Sequence, residues 1–152
     1  MKTLYCDGSF DWTHTNKTKE PVVRGKIAVS DGKGFDRVEK VAVGKVEGLR
    51  QYINIFELIA IARAIELAKE VSDEDNSLQL FTDSNVAMFW ARAGKIRNKV
   101  RTLAHDNALE YLKKARLAFG GIVTIDTIPR ERNRAGFLLE DELLNGRQPH
   151  DL

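Results

Sequence analysis

Several residue types and patterns are scarce in this chain, and each scarcity excludes a class of protein. The 152 residues contain a single cysteine, so no internal disulfide can form, and no group of cysteines and histidines has the spacing of a zinc site. No apolar run is long enough to cross a bilayer or to form the core of a signal peptide. We therefore expect a cytoplasmic protein in which Cys6 is a small core residue on a strand.

A strong net charge is also missing. Lysine and arginine number 24 against 22 for aspartate and glutamate, which gives a formal net charge of +2. Binding to nucleic acid would therefore need a local basic patch, because the molecule as a whole is not a polycation. Hydrophobic residues make up 43% of the chain and charged residues 30%, as in a folded globular domain.

The length fits one domain with a core of its own. No internal repeat, low-complexity tract or linker divides the chain. Residues 1–146 are predicted to form the domain, followed by a polar tail at 147–152.

Apolar periodicity predicts a mixed α/β fold. Three strands open it, at 3–9, 22–30 and 36–47, and a glycine-rich turn joins the last two. Apolar residues at helical spacing, with frequent alanine, predict a helix at 54–69. The remaining predicted elements are a strand at 78–82, helices at 84–92 and 100–119, a strand at 122–128 and a helix at 134–144.

Three acidic residues lie where this element order brings them together. The helix at 54–69 is a crossover, which lets the strand at 78–82 lie parallel to the first strand. Asp7 and Asp83 then lie at neighbouring carboxyl ends, where open sheets place ligand sites, and Glu57 packs over the same end from the first turn or so of the crossover helix. Because Mg²⁺ prefers carboxylate oxygens, the three residues predict a site for a hard divalent cation.

These acids also have ordinary structural explanations. Asp83 precedes Ser84 and Asn85, where an acid can cap a helix. Glu57 can be a first-turn acid that the helix dipole stabilises. A basic connector between two predicted helices is equally compatible with phosphate binding and with a solvated surface; it comprises Lys95, Arg97, Lys99 and Arg101.

Taken in order, the motifs around the three acids resemble those of the ribonuclease H family. Asp7, Gly8 and Ser9 form Asp-Gly-Ser on the first strand, and Thr-Asp-Ser at 82–84 ends the fourth. Between them, the first helix opens with Asn-x-x-Glu-Leu-x-Ala, at Asn54, Glu57, Leu58 and Ala60. The resemblance covers nearly the whole chain. It implies the ribonuclease H-like fold, a five-stranded mixed sheet of three antiparallel strands followed by two parallel ones, flanked by helices.

The resemblance implies a metal-dependent endoribonuclease that cuts the RNA strand of RNA/DNA hybrids. Two Mg²⁺ ions, replaceable by Mn²⁺, are expected to activate the attacking water and stabilise the leaving 3′ oxygen, with Asp7 bridging them and Glu57 and Asp83 completing their coordination. The protein is expected to act as a monomer. The expected nucleic-acid contacts are Gly8, Ser9, Asn54, Ser84, Asn85, Lys95, Arg97, Arg130 and Arg132.

The last helix departs from the family pattern Asn-x-x-Ala-Asp-x-Leu-Ala. Asn133 and Ala135 are followed by Gly136, which has no carboxylate to offer as a fourth ligand. Glu140, four residues later on the same helical face, is the predicted substitute, with Asp141 as its competitor. This departure keeps two other interpretations open: a catalytically weakened nucleic-acid-binding module, and a nuclease of the wider superfamily with another nucleic-acid substrate.

Overall fold

The computed structural model describes residues 2–11, 21–49, 51–71, 76–97 and 101–146, with side chains as far as Glu140. Every predicted strand and helix is present, and each boundary differs from its prediction by at most three residues. The elements are β1 Lys2–Phe10, β2 Val22–Ser30, β3 Asp36–Gly44, α1 Ile53–Val71, β4 Ser77–Thr82, α2 Asn85–Ala93, α3 Leu103–Phe119, β5 Ile122–Thr127 and α4 Arg134–Gly146, with a 3₁₀ turn at Arg130–Arg132. None of the helices described here has the length and apolarity needed to span a membrane.

The strands form one mixed sheet in the order β3-β2-β1-β4-β5. β2 runs antiparallel to both β1 and β3, whereas the pairs β1–β4 and β4–β5 are parallel. This confirms the predicted five-stranded sheet and the crossover role of α1. In the β1–β4 register Tyr5 lies beside Phe81, so Asp7 and Asp83, each two residues further on, lie at neighbouring ends.

The two faces of the sheet are covered by different helices. The side chains of Leu4 and Cys6 are fully buried in the main core. Most of the residues of α1 also belong to this core. Tyr5 points to the opposite face, because successive side chains on a strand alternate. There it packs with Ala28 and Ala135, in a second cluster that fixes α4 against β1 and β2. Cys6 is therefore the core residue that the sequence predicts.

Helix α1 approaches β1 unusually closely at Gly8. A Cβ atom at this position would lie 2.7 Å from the carbonyl carbon and oxygen of Phe56 and 2.9 Å from the backbone nitrogen of Glu57. The Phe56 ring stacks on Phe10, with 5.9 Å between ring centroids and 6° between planes. The absence of a side chain at position 8 is thus what lets the backbone of Glu57 reach the strand that carries Asp7.

Gly8→Ala is expected to lower the free energy of unfolding by about 1–3 kcal/mol, because the new methyl group meets backbone atoms that cannot rotate away. Gly44→Ala is the matched control. It is also a strand glycine, but a Cβ there would meet nothing within 4 Å. Urea denaturation of both variants measures the difference, and equal unfolding free energies would show that the contact at Gly8 does not constrain the packing of α1.

Candidate metal centre

Asp7, Glu57 and Asp83 converge at one end of the sheet. One carboxylate oxygen from each lies within 4.8 Å of the other two, and in the described part of the chain this is the group of acids with metal-site spacing. Asp7 comes from β1, Asp83 directly follows β4 and Glu57 comes from α1. Three elements that are far apart in the sequence therefore supply one oxygen-lined site.

The structure does not support the alternative explanation of Glu57 as a solvated acid that the helix dipole stabilises. No acid lies in the first turn of α1, because Glu57 is the fifth helical residue, and only 4% of its surface is exposed. A solvated first-turn acid stabilised by the helix dipole is therefore the wrong interpretation, although Glu57 lies just after the first turn of α1, close to where it was predicted.

The cap of α2 is Ser84 and not Asp83. The Ser84 hydroxyl accepts a hydrogen bond from the backbone N–H of Ala87 at 3.1 Å, and the Ser84 N–H donates to the Thr82 hydroxyl at 3.2 Å. The Asp83 carboxylate is left free to face the other acids. Since the Ser84 hydroxyl is engaged in the cap, its contact with nucleic acid stays a prediction.

Burial and the crowding of the three acids disfavour the charged forms of Asp7 and Glu57. Burial raises the pKa of Glu57 well above its usual range, and the negative charges of Asp7 and Asp83 raise it further. Burial likewise raises the pKa of Asp7 to about 6, although a hydrogen bond with Glu57, the Gly8 N–H and the positive charge of Arg130 oppose the rise. A divalent cation would remove this conflict, because it favours the ionised form of all three groups.

One oxygen of Glu57 lacks the partner that a buried polar atom needs, which is consistent with a cation site. Its Oε2 atom is buried and has no hydrogen-bond partner. A buried polar oxygen without a partner is costly, and such groups mark sites that an ion or ligand completes. The converging carboxylates are hard oxygen donors, which suit Mg²⁺ or Mn²⁺ better than softer metals.

Asn133 orients Asp83, a role that the sequence does not reveal. Its side chain is fully buried, and its Nδ2 donates to Oδ2 of Asp83 at 3.1 Å and to the carbonyl of Cys6 at 3.0 Å. Its Oδ1 accepts from the backbone N–H of Ala135 at 3.1 Å. One amide therefore ties the start of α4 to β1 and to the candidate ligand. In the sequence, Asn133 is noticeable only as an anchor of the family pattern.

Gly136, where the resemblance led us to look for a fourth carboxylate, faces the acids but has no side chain. A Cβ atom at Gly136 would lie 3.2 Å from Oδ2 of Asp7, so this position faces the acids but offers no ligand. Counting the family pattern from Asn133 instead places the acid at Phe137, which is apolar and 40% exposed. Glu140 has an exposed side chain and does not belong to the group of acids that converge, so its role as substitute stays a prediction. The side chain of Asp141 lies outside the described residues.

Some of the predicted nucleic-acid contacts adjoin the acids, and others lie away from them. Gly8 and Ser9 adjoin Asp7, Asn54 lies one turn before Glu57, and Asn85 starts α2 next to the acids. Lys95 and Arg97 are exposed but follow the far end of α2, about 14 Å along the helix from the acids. Arg101 is ion-paired with Asp106, which favours an ordinary surface role for that residue. Lys99 lies outside the described residues.

Two predicted contacts, Arg130 and Arg132, belong to the 3₁₀ turn before α4. Arg130 lies close enough to Asp7 to lower its pKa. Arg132 is exposed on the same turn.

Without a cation, the protein is expected to lose stability as the pH rises. The pKa of Asp7 is about 6 in the folded state and near 3.8 when unfolded, so between these values the unfolded chain binds fewer protons and is favoured. Between about pH 5 and about pH 8 the loss is on the order of 1 kcal/mol for this residue. Thermal denaturation in EDTA at about pH 5 and about pH 8 measures it, and Mg²⁺ should reverse it at the higher pH.

Glu57→Gln should flatten this pH profile and remove the stabilisation by Mg²⁺, since it deletes one charge from the cluster and one ligand from the cation. Glu110→Gln, at an exposed position on α3, should leave both unchanged. An identical response to Mg²⁺ in wild type and Glu57→Gln would contradict a cation site at these carboxylates.

No protein-family model and no curated protein sequence matches the chain. Solved structures are nevertheless similar. RNase H1 from the archaeon Halobacterium salinarum has a TM-score of 0.58 at 18% identity, over 95% of this chain and 97% of that chain. LC11-RNase H1 was isolated from compost by a metagenomic approach, and its structure was solved in complex with RNA/DNA hybrid. It has a TM-score of 0.58 at 20% identity, over 93% of this chain and 98% of that chain.

The N-terminal RNase H domain of a Mycobacterium tuberculosis protein gives 0.58 at 15% identity, over 95% of this chain and 96% of that chain. At such identities the similarity is one of fold. It agrees with the strand order and the flanking helices described above. The chain therefore has the ribonuclease H-like fold that its motifs implied.

Proposed function

We propose that this protein is a metal-dependent endoribonuclease that cuts the RNA strand of RNA/DNA hybrids. The convergence of Asp7, Glu57 and Asp83 carries the proposal, because three carboxylate oxygens within 4.8 Å of one another form a site suited to a hard cation. The similarity in fold to LC11-RNase H1, whose structure contains an RNA/DNA hybrid, supports the choice of substrate.

The three carboxylates would hold Mg²⁺, or Mn²⁺ in its place, and two ions are proposed. Bound ions would supply an activated water and stabilise the charge on the leaving 3′ oxygen. The protein contributes the arrangement of its own groups. Gly8 admits Glu57 to the site, Asn133 orients Asp83, and Arg130 provides a positive charge beside Asp7 for a substrate phosphate.

Discrimination between RNA and DNA is proposed to occur in the shallow minor groove of the hybrid, where 2′-hydroxyls mark the RNA strand. Gly8 and Ser9 on β1, Asn54 on α1 and Asn85 on α2 all adjoin the acids. Backbone amides and side-chain amides can both donate to and accept from a 2′-hydroxyl. They are therefore the proposed reading groups.

A catalytically weakened nucleic-acid-binding module is the second candidate function. The observation that favours it is Gly136, which faces Asp7 and supplies no carboxylate. This candidate predicts salt-sensitive binding to hybrid without metal-dependent turnover. Cleavage assays with Mg²⁺ and with Mn²⁺ separate the two functions.

Asp7→Asn and Asp83→Asn are each expected to lower hybrid cleavage by more than about 100-fold, since loss of even an outer-shell partner of a metal site costs 10–100-fold. Folding should persist in both variants. The assay uses labelled RNA/DNA hybrid with Mg²⁺ or Mn²⁺ and should show products with 5′-phosphate and 3′-hydroxyl ends. Duplex RNA, duplex DNA and single strands serve as comparison substrates.

Asp106→Asn is the matched control, because this aspartate is ion-paired on the surface of α3 and should not affect cleavage. Equal cleavage by wild type and both active-site variants would contradict the proposal.

The same assay tests Glu140. If Glu140 is the substitute ligand, Glu140→Gln should lower hybrid cleavage by more than about tenfold, whereas Asp141→Asn should have little effect.

A further inference from the structure

The arginines that lead into α4 differ from most others in their partners. Within the described residues, Arg130, Arg132 and Arg134 have exposed side chains and make no ion pair or hydrogen bond with another side chain. Most other described arginines are engaged: Arg37 with Glu70, Arg63 with Glu39 and Glu66, Arg92 with Asp126, Arg101 with Asp106, and Arg116 with the carbonyl of Ala91. The three arginines will be called the arginine track.

The arginine track begins at the acids. Arg130 is close enough to Asp7 to lower its pKa, and the buried Asn133 between the other two arginines is hydrogen-bonded to Asp83. The track ends at the turn between β2 and β3. A Cβ atom at Gly32 in that turn would lie 3.5 Å from Cγ of Arg134, so the stem of this side chain lies over the turn.

The surroundings of Arg132 and Arg134 do not explain the charge of these two arginines, whereas Arg130 faces the acids. No acid lies in the first turn of α4, and Arg134 adds a positive charge at the end of the helix where the helix dipole is already positive. Glu131 is the one acid among residues 130–134, and it is exposed. An arrangement that breaks a local electrostatic preference without a compensating ion pair is typical of functional surfaces.

We infer that the arginine track binds phosphate groups of a nucleic-acid backbone and leads the bound strand from the acids across the 3₁₀ turn toward the β2–β3 turn. The inference rests on the proposed function and adds Arg134 and a direction to it. All three residues are arginine, whose planar guanidinium pairs with a phosphate through two parallel hydrogen bonds. Arg134 has no place in the acid site itself, so its contribution is to binding and not to bond cleavage.

The test measures binding of a labelled RNA/DNA hybrid by fluorescence anisotropy over a range of salt concentrations, in an Asp7→Asn background that prevents cleavage. Arg132→Gln and Arg134→Gln should each weaken binding and reduce the slope of log K against log salt by about 0.9, the loss of one phosphate contact. Lys113→Gln, the same charge change at an exposed position on α3, should alter neither quantity.

The melting temperature distinguishes a binding role from a structural one. Arg134→Gln should melt at the same temperature as its parent or higher, because it removes a cation from the positive end of α4. A variant that binds with the parent slope, or one whose weaker binding is matched by a lower melting temperature, would overturn the inference even if the wild type cleaves hybrid. Conversely, a slope that depends on the arginines in a protein that never cleaves hybrid would support the inference and refute the proposed function.

Discussion

The contact between the backbone of α1 and Gly8 is the constraint on which the candidate site depends. Any side chain at position 8 would meet the carbonyl of Phe56 at 2.7 Å and would push the helix away from the strand. Glu57 would move with the helix, because its backbone nitrogen lies in the same contact. The site therefore requires a local packing arrangement that only glycine permits, and the stacking of Phe56 on Phe10 holds the helix in that position.

The close approach of the three carboxylates that forms the candidate site also lowers the stability of the folded protein. Bringing three carboxylates together raises the pKa values of Asp7 and Glu57, through burial first and mutual repulsion second, and leaves one oxygen of Glu57 without a partner. The fully buried amide of Asn133 offsets part of this cost by donating to Asp83. Arg130 places a positive charge next to the acids, and Arg132 and Arg134 follow it without an ion pair in the described part of the chain. The partnerless oxygen of Glu57 lies among the acids, and the arginines extend from there toward the β2–β3 turn; departures of this kind from ordinary packing rules are typical of functional sites.

The sequence predicts the architecture well because periodicity and turn residues specify it locally. Strand β3 ends three residues before its predicted end, because its partner β2 begins at Val22, opposite Gly44, and beyond that pair only the Lys45 N–H still bonds to the carbonyl of Pro21. Helix α3 begins three residues later than predicted, at Leu103. The residue before it, Thr102, donates its N–H to the ring of His105 in a capping interaction that hydrophobic periodicity does not show.

The site is only partly predictable from the sequence, because some of its contacts join residues that are far apart along the chain. Asp7 and Asp83 follow from the parallel register, Glu57 follows from the crossover helix that packs over the same end of the sheet, and the resemblance links the three residues to one site. Asn133 contacts Cys6 across 127 residues of sequence, and no local pattern encodes such a contact. The direction of Gly136 and the position of Arg134 over Gly32 depend likewise on how α4 packs on the sheet.

The most direct test of the account is a crystal structure of the wild-type protein soaked in Mn²⁺, with the metal located by its anomalous scattering. The account predicts an anomalous peak coordinated by Asp7, Glu57 and Asp83, with the Oε2 atom of Glu57 among the ligands, and no such peak in Asp83→Asn. Carboxylates in the arrangement described here, with no manganese between them at saturating Mn²⁺, would contradict the assignment of a metal centre.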